Sequence, residues 1–247
     1  MTTETQTPSK VKMRPTFWQV LSKLFLFVLL LFSVRWFFFE PFVVPSGSMF
    51  PNLYVGDYIV VRKVFTGVKI PFTQTWLLGP RLPQRGQTVV FKSKDGGPYF
   101  VKRLIGLPGD QITVLGDQIV KINDIEVIEY GEGPKWEETY KELFDPDGSD
   151  GLKLFSEEIE HIRYLTMSRA RGQEELPTDT YIVPPGELFF MGDNRNHSSD
   201  SRQWGSVPVG NMVGPAWRIL LSCEKMNPRM DFCDLSSLRW DRVFKKL

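Results

Sequence analysis

Two serine hydroxyls flank a single glycine in residues 43–53, which read VVPSGSMFPNL, and either hydroxyl could act as a nucleophile. A serine hydroxyl attacks a carbonyl only when a neighbouring base takes its proton. The same residues are also typical of a plain solvated turn, because proline, serine and glycine all favour turns. The choice between a turn and a reactive centre therefore depends on whether the chain supplies a base.

Histidine is the usual base for a serine, and the chain contains two histidines, His161 and His197. His161 lies in an acidic stretch, which is a poor setting for a catalytic base. His197 lies in a polar loop together with Asp193 and Asp200. A triad of Ser48, His197 and one of these aspartates is therefore one interpretation of the sequence.

Lysine is the alternative base, and the candidate is Lys102 in the strand-like run YFVKRLI. Side chains alternate between the two faces of a strand, so Lys102 shares its face with Phe100 and Leu104, and Arg103 lies opposite. An apolar face removes water from the amine and lowers its pKa from roughly 10.4. A fall of ~3 units costs roughly 4 kcal/mol, which the surrounding structure must supply. Most strand lysines instead reach solvent and stay charged, so Lys102 alone does not decide the question.

The N-terminal region contains the longest apolar run of the chain, from Leu24 to Val34. Extended to residues 17–39, the run has the roughly 20 residues that a helix needs to cross a bilayer. Lys23 and Arg35 make it an imperfect span, although charges near the ends of a helix can reach the interface. Aromatic residues at both ends resemble the aromatic belts of membrane helices.

A cleavable secretory signal is the alternative interpretation of this run, but such a signal ends in small residues. The run is followed by Arg-Trp-Phe-Phe-Phe-Glu, and no alanine occurs before Ala170. An uncleaved transmembrane anchor at residues 17–39 is therefore the prediction. Because basic residues precede the run, we expect residues 1–16 to be cytoplasmic and residues 40–247 to lie across the membrane.

The composition of the 247 residues sets further limits. Thirty basic residues against 29 acidic residues give a net charge of +1, so no overall charge bias points to a nucleic-acid partner. No metal-ligand spacing such as C-x-x-C or H-E-x-x-H occurs, so no metal site and no cofactor are expected. Cys223 and Cys233 could form a disulfide outside the cytoplasm or remain two buried thiols, and the sequence leaves both possibilities open.

Valine- and isoleucine-rich runs separated by glycine, proline and aspartate predict a mainly β fold. The predicted strands are Tyr54–Lys63, Gln87–Ser93, Tyr99–Ile105, Gln111–Val114 and Gln118–Ile122, and the core resumes at Thr180–Met191.

Two other regions are predicted to differ from this core. Residues 131–178 begin acidic and broken by glycine and proline, which predicts a surface excursion or a second subdomain inserted into the β core. At the end of the chain, apolar residues with helical spacing predict a short amphipathic helix that packs on the body: Trp240, Val243, Phe244 and Leu247.

Four motifs occur in a fixed order behind the apolar run: PSGSMFPNL, GDYIVVRK, KRLIGLPGD and GDNRNHSSDSRQWGSVP. Together they resemble the type I signal peptidases, also called bacterial leader peptidases, which are membrane-bound Ser-Lys proteases that remove signal peptides from exported preproteins. PQRGQTVVFK and VPPGELFFMGDNR are similar to the family as well. The resemblance covers the anchor and residues 41–122 and 180–218. It implies an antiparallel β-sheet catalytic core with an N-terminal transmembrane helix and an inserted β-rich subdomain at about 112–178.

The resemblance also implies roles for individual residues. Ser48 corresponds to the nucleophile and Lys102 to the general base. Ser46 corresponds to the residue whose hydroxyl binds the oxyanion, beside the backbone N–H of Ser48. Such donors typically contribute ~2.7–4 kcal/mol each to the transition state. Ser198 corresponds to the serine that orients the lysine. Four further residues correspond to two structural ion pairs: Asp193 with Arg103, and Asp200 with Arg202.

By the same resemblance the enzyme should cut after small residues, and four apolar side chains are candidate walls of the specificity pockets: Val44, Met49, Leu53 and Phe100. The implied partners are the signal peptides of preproteins, the lipid bilayer and the secretion translocon. The implied location is the bacterial cytoplasmic (inner) membrane, crossed once, with a cytoplasmic N-terminus and an extracytoplasmic catalytic domain. A lysine base points to the bacterial or organellar branch of the family.

The sequence departs from the family pattern in two places. Asn52 replaces a usual threonine, and Asn196-His197 replaces a usual Asp-Asn pair. Two other functions are compatible with parts of the sequence. A self-cleaving repressor shares the Ser-Lys dyad but needs an N-terminal DNA-binding domain where this chain has an apolar run. A membrane-anchored domain that binds peptides without cutting them would not depend on Ser48 or Lys102.

Overall fold

The computed structural model describes residues 16–63, 67–69, 76–115, 118–132, 152–169, 178–227 and 232–247. Contacts within the chain divide it into two compact units, one ending at Phe37 and the other spanning Phe38–Leu247. Predictions that fall on residues 1–15, 133–151 and 170–177, including the cytoplasmic segment and much of the insertion, lie outside the described residues.

Helix α1 spans Phe17–Phe38, 22 residues rich in leucine and phenylalanine. It begins with a capping pair, because the side-chain oxygen of Gln19 accepts from the Thr16 N–H at 3.1 Å and the Gln19 N–H donates to the Thr16 carbonyl at 2.8 Å. Its large apolar side chains are exposed from Phe17 to Phe32. The helix matches the predicted anchor, residues 17–39, to within one residue. Counting only the described residues, however, no helix has the length and apolarity of a membrane span.

The rest of the chain is mainly β, as the sequence predicts. The strands of the first half are β1 Phe39–Val43, β2 Asp57–Arg62, β3 Val68–Lys69, β4 Trp76–Leu78, β5 Thr88–Lys92, β6 Tyr99–Gly106, β7 Gln111–Leu115, β8 Gln118–Ile122, β9 Ile125–Glu126 and β10 Ile128–Glu132. Those of the second half are β11 Leu152–Ile159, β12 Ile162–Arg169, β13 Thr178–Ile182, β14 Glu187–Met191, β15 Val207–Pro208, β16 Met212–Ser222, β17 Met226–Asn227 and β18 Phe232–Cys233. One-turn helices lie at Gly47–Met49, Ser201–Trp204 (α2), Val209–Asn211, Leu235–Ser237 and Trp240–Arg242.

A seven-stranded antiparallel sheet forms the centre of the second unit, in the order β1, β2, β16, β5, β6, β14, β15. Strand β5 and most of β6 are buried on both faces, and the buried part of β6 is apolar apart from Lys102 and Arg103. Around β5 and β6, Phe91 stacks on Phe190 at 4.1 Å between ring centroids. Burial of each such side chain contributes roughly 1.5–3 kcal/mol, so this part of the sheet is a rigid base for whatever it carries.

Two smaller antiparallel sheets extend this centre. One has the order β13, β7, β8, β9, and the other consists of β10, β11 and β12. The hairpin β11–β12 belongs to the predicted insertion, and Glu157, Tyr164, Thr166 and Met167 of this hairpin are buried. Met167 also pairs with the chain at Asn194 and Asp193, because its N–H donates to the Asp193 carbonyl at 2.8 Å. The described part of the insertion is therefore joined to the loop after β14.

The predicted strands at residues 87–93, 99–105, 111–114 and 118–122 are confirmed, and the strand predicted at 54–63 is shorter, at Asp57–Arg62. The predicted C-terminal amphipathic helix is wrong. The chain makes a single turn at Trp240–Arg242, and Phe244 then adopts a φ of 60°. The last residues pair with β16 instead, since the Ile219 N–H donates to the Lys245 carbonyl at 2.9 Å. Trp240, placed on the apolar face of that predicted helix, is 75% exposed.

Candidate active site

The serine-glycine-serine stretch lies in a tight turn after β1. Ser46 has an extended backbone, and Gly47–Met49 form one turn of 3-10 helix that is closed by a hydrogen bond from the Phe50 N–H to the Gly47 carbonyl at 3.0 Å. The two hydroxyl oxygens, Ser46 Oγ and Ser48 Oγ, lie 3.4 Å apart. The turn therefore presents both hydroxyls from one side of a compact backbone segment.

Lys102 lies on β6, opposite Val89 of β5, and its side chain is only 3% exposed. Its Nζ donates a hydrogen bond to Ser48 Oγ. Burial lowers the pKa of Lys102 from 10.5 to about 8, against the opposing attraction of Asp200 and Asp193. A lysine with such a pKa is neutral in roughly a tenth of the molecules at pH 7 and in about half of them at pH 8, and a neutral amine can accept the proton of a serine hydroxyl.

Gly192 lies between the two serine-bearing segments, just after β14. A methyl group at this position would overlap the Ser198 hydroxyl and would come within 2.6 Å of the Ser48 carbonyl oxygen. The backbone N–H of Asn194 donates to the same carbonyl at 3.1 Å. Only glycine permits this close approach, so the residue type at position 192 determines how near the loop after β14 lies to the Ser48 turn.

Ser198 does not contact Lys102 through a hydrogen bond described in this structure. Its hydroxyl is buried and donates to Asp200 Oδ2 at 2.7 Å. The same carboxylate accepts from the Gly192 N–H at 2.9 Å and pairs with Arg202, whose Nε lies 2.8 Å from Oδ1. Burial alone would raise the pKa of Asp200, but the hydrogen bonds and charge of Arg202 hold it below its ordinary value. Asp200 is therefore an anion that anchors both Ser198 and the Gly192 turn.

The second predicted ion pair is also formed. Arg103 binds Asp193 through two parallel hydrogen bonds of 2.6 and 2.5 Å, and both side chains are buried. Asp193 accepts a third hydrogen bond, of 2.7 Å, from the amide of Asn52. Asn52 is one of the positions where the sequence departs from the family pattern, and here it connects the Ser48 turn to the ion pair beside Lys102.

Sequence reasoning missed a third buried ion pair below the site. Arg195 binds Glu157 of β11 through two hydrogen bonds, of 2.7 and 2.5 Å, and its Nε donates to the Gly192 carbonyl at 3.1 Å. The hydroxyl of Tyr164 donates to Glu157 at 2.9 Å, and the tyrosine ring lies 3.8 Å from the Arg103 guanidinium carbon. The sequence motifs contained one member of this pair, Arg195, as the arginine of GDNR. Its partner lies in the insertion, where nothing in the sequence indicated a buried acid.

The four predicted pocket residues fall into two groups. Val44, Met49 and Leu53 are almost fully buried in one apolar cluster next to the Ser48 turn. Phe100 belongs to a different cluster and stacks on Trp204 at 6.3 Å between ring centroids. The structure thus brings three of these residues together and places the fourth elsewhere, and their role as pocket walls stays a prediction.

Neither histidine forms a described side-chain hydrogen bond with Ser46 or Ser48. His197 is exposed, and its N–H donates to the Asn194 carbonyl at 3.2 Å. His161 is exposed at the turn between β11 and β12. In the part of the chain that the structure describes, the hydroxyl of Ser48 has hydrogen-bond contacts only with Ser46 and Lys102. Within the same part, no group of three or more His, Cys, Asp or Glu side chains is arranged to hold a metal ion.

Comparisons with known proteins show which proteins this chain is similar to. A family model described as signal peptidase, peptidase S26, matches residues 17–221. The chain is 35% identical to a signal peptidase I of Buchnera aphidicola subsp. Acyrthosiphon pisum, over 87% of this chain and 79% of that one. It is 36% identical to a signal peptidase I of Pseudomonas fluorescens, over 80% of this chain and 69% of that one.

A crystal structure of a signal peptidase I from Enterococcus faecalis V583 is 25% identical and covers 55% of this chain and 97% of that chain, with a TM-score of 0.31.

Proposed function

We propose that this chain, which belongs to the signal peptidase S26 family, cuts its substrates with a dyad of Ser48 and Lys102. As a member of the family it is a serine endopeptidase that removes signal peptides from preproteins. The observation that carries the proposed dyad is the hydrogen bond between Lys102 Nζ and Ser48 Oγ, at a place where burial lowers the pKa of the lysine to about 8. Neither histidine contacts this serine, which weighs against a triad.

The proposed reaction begins when Ser48 Oγ attacks the carbonyl carbon of the scissile peptide and Lys102 takes the hydroxyl proton. The carbonyl oxygen becomes an oxyanion, which the Ser46 hydroxyl and the Ser48 N–H stabilise. Lys102 then gives its proton to the departing amine, which leaves an ester on Ser48. Water attacks the ester carbonyl as Lys102 takes its proton, and Lys102 returns this proton to Ser48 Oγ as the ester bond breaks and the acid product leaves.

Ser198 is proposed to orient the lysine during these proton transfers. The hydroxyl of Ser198 donates its hydrogen bond to Asp200, so the Ser198 oxygen remains able to accept a hydrogen bond from Lys102 when the amine is protonated. The buried cluster of Val44, Met49 and Leu53 next to the Ser48 turn supports these residues as the floor of a pocket for small side chains, with Phe100 further away.

We also propose that helix α1 anchors the enzyme in the bacterial cytoplasmic membrane, with residues 1–16 in the cytoplasm and the domain from residue 40 outside. At 22 residues it is about 33 Å long, against a hydrocarbon thickness of about 30 Å. The disulfide between Cys223 and Cys233 supports an oxidising, extracytoplasmic location for the second unit. The proposed partners are the bilayer, the signal peptides of preproteins and the secretion translocon.

Cleavage of a preprotein by the full chain in detergent tests the dyad. Ser48→Ala should show no cleavage, and Lys102→Arg should lose at least ~10²-fold, because arginine cannot release its proton to act as a base. Lys92→Arg is the matched control, since Lys92 lies on the neighbouring strand and should tolerate the change. Cleavage by Ser48→Ala would instead show that the serine is not the nucleophile, and full activity of Lys102→Arg would exclude the dyad.

Protease added to spheroplasts tests the topology. We expect digestion of the domain beyond residue 40 and an intact N-terminus on the retained fragment. A domain that resists protease until the membrane is dissolved would contradict the proposed orientation.

A further inference from the structure

The last part of the chain lies outside the match to the family model, which ends at Leu221. Cys223 and Cys233 form a disulfide there, with their Cα atoms 5.6 Å apart. We refer to residues 234–247, which follow this disulfide, as the C-terminal segment. The turns of this segment contact β2 and the residues that follow the Ser48 turn. The motifs shared with the family do not account for these contacts.

Arg242 is the main contact of the C-terminal segment with the Ser48 region, and it is 2% exposed. Its guanidinium binds the buried Asp57 carboxylate at 2.5 and 3.2 Å and donates to the Asn52 carbonyl at 3.0 Å. The guanidinium carbon also lies 3.5 Å from the centre of the Tyr54 ring. One arginine thus binds three residues of the segment that follows the nucleophile turn.

Asn52 connects Arg242 to the residues around the proposed dyad. Its carbonyl is held by Arg242, and its side-chain amide donates to Asp193 at 2.7 Å. Asp193 in turn is bound by Arg103, the neighbour of Lys102 on β6. The N–H of Asn52 donates to the Met49 carbonyl, 3.1 Å away, within the Ser48 turn. A displacement of Asn52 would therefore move the turn relative to the strand that carries the base.

The disulfide fixes the start of the C-terminal segment to the same region. The Cys223 N–H donates to the Gly56 carbonyl at 3.1 Å, and Gly56 has a φ of 86° and no room for a methyl group against the Cys223 carbonyl. Cys233, one residue before the segment, is bound covalently to Cys223. Arg239, within the segment, donates from its N–H to the Ser222 carbonyl at 2.9 Å.

We propose that the C-terminal segment is a disulfide-fastened clamp, in which Arg242 is a positioning residue that holds Asn52 and thereby the Ser48 turn in register with Lys102. The proposal rests on the proposed function, because it assigns a role relative to that dyad. Reduction should loosen the clamp. Two electrons and two protons from dithiothreitol convert the disulfide into two thiols, and dithiothreitol becomes its cyclic disulfide. Turnover should then fall, while the apolar core of the sheet stays folded.

The test uses the full chain in detergent with a signal-peptide substrate, and kcat is expressed per active site, counted by acylation of Ser48 with a serine-directed probe. Arg242→Gln should lower kcat about tenfold and leave KM within about twofold, because a misplaced nucleophile slows the chemical step more than it weakens binding. Arg81→Gln, at an exposed arginine, is the matched control and should behave as wild type. Counting active sites separates a slow enzyme from a partly unfolded one.

Dithiothreitol gives a second arm that does not depend on a variant folding. Because both cysteines are buried, the appearance of two titratable thiols is the criterion that the disulfide has been reduced. After this reduction the wild-type kcat should fall by a similar factor, and the Cys223→Ser/Cys233→Ser double variant should start at the reduced value and not respond, because the chain has only two cysteines. In Arg242→Gln, reduction should cost less than about a further twofold, since both changes act through the same contacts.

Three outcomes would overturn the clamp: wild-type kcat in Arg242→Gln, a wild-type enzyme indifferent to reduction, or losses that multiply when the two changes are combined. Ser48→Ala keeps this test distinct from the proposed function. If Ser48→Ala still cleaves, Ser48 is not the nucleophile, and the clamp cannot act by positioning it. If Ser48→Ala is inactive and Arg242→Gln is fully active, only the clamp is wrong.

Discussion

Replacing Lys102 with methionine should abolish cleavage and stabilise the folded protein at neutral pH. Lys102 is buried, and burial is the main reason why its pKa falls from 10.5 to about 8. At ~1.4 kcal/mol per pKa unit, this fall means that the protonated lysine destabilises the folded state by roughly 3 kcal/mol. Methionine has a similar length and no charge, but it cannot form the hydrogen bond to Ser48, which typically contributes ~1 kcal/mol to stability. The expected net gain in the free energy of unfolding is therefore about 2 kcal/mol at pH 7.

The gain in stability of Lys102→Met should decrease as the pH rises. Because the folded-state pKa of Lys102 lies below the unfolded value, the folded state binds fewer protons than the unfolded state between pH 8 and pH 10.5. Wild-type stability from this group therefore rises with pH across that window. The methionine variant lacks this titration, so its advantage of about 2 kcal/mol is largest below pH 8 and should be lost by pH 10, because the wild type gains roughly 2.5 kcal/mol of stability over this range.

Urea unfolding of the full chain in detergent, followed by tryptophan fluorescence from pH 7 to pH 10, measures both quantities. Lys102→Arg is a control that keeps the charge, so it should be inactive without being stabilised. Lys92→Met is a matched control on the neighbouring strand and should not change the pH dependence. If Lys102→Met is no more stable than wild type at pH 7, or if its advantage is the same at pH 10, the lysine is not a desolvated cation and the reasoning fails.

The other predictions concern the same site. The kcat/KM of the wild type should rise about tenfold from pH 7 to pH 9 with an apparent pKa near 8, as the neutral form of Lys102 accumulates; a flat profile over this range would exclude a lysine base. Arg202→Gln should move that pKa upward by ~1 unit, because it leaves the neighbouring carboxylate unneutralised, and an unchanged profile would contradict this. Gly192→Ala should cost at least ~10²-fold in kcat, whereas Gly210→Ala, at a glycine with open space around it, should be neutral by the same cleavage assay. His197→Ala should change kcat/KM by less than about tenfold, and a loss of several orders of magnitude would favour the triad instead.

Much of the fold could be predicted from local patterns in the sequence, and part of the site from the resemblance to the signal peptidases. The alternation in YFVKRLI and the apolar runs of its neighbours identified β5 and β6, and the motif order indicated Ser48, Lys102 and the two ion pairs. The Arg195–Glu157 pair could not be predicted, because β11 is distant from Arg195 in sequence. The alternation of side chains along β11 also does not show whether Glu157 or Glu158 faces the interior. The C-terminal helix was predicted from spacing alone, which could not show that the backbone of Lys245 pairs with β16.

Two arginines offset the charge of the carboxylates that raise the pKa of Lys102. The pKa of Lys102 is lowered by burial but raised by Asp200 and Asp193, the two carboxylates that anchor the loop after β14. Each carboxylate is bound by its own arginine, so neither acts on the lysine as a full unpaired charge. The arginines thus have two effects: they fix the loop, and they limit how far the two carboxylates raise the pKa of Lys102, the proposed base. Replacing Arg202 with glutamine should therefore raise the pKa of Lys102, while the apolar packing of the sheet, to which Arg202 does not belong, is unchanged.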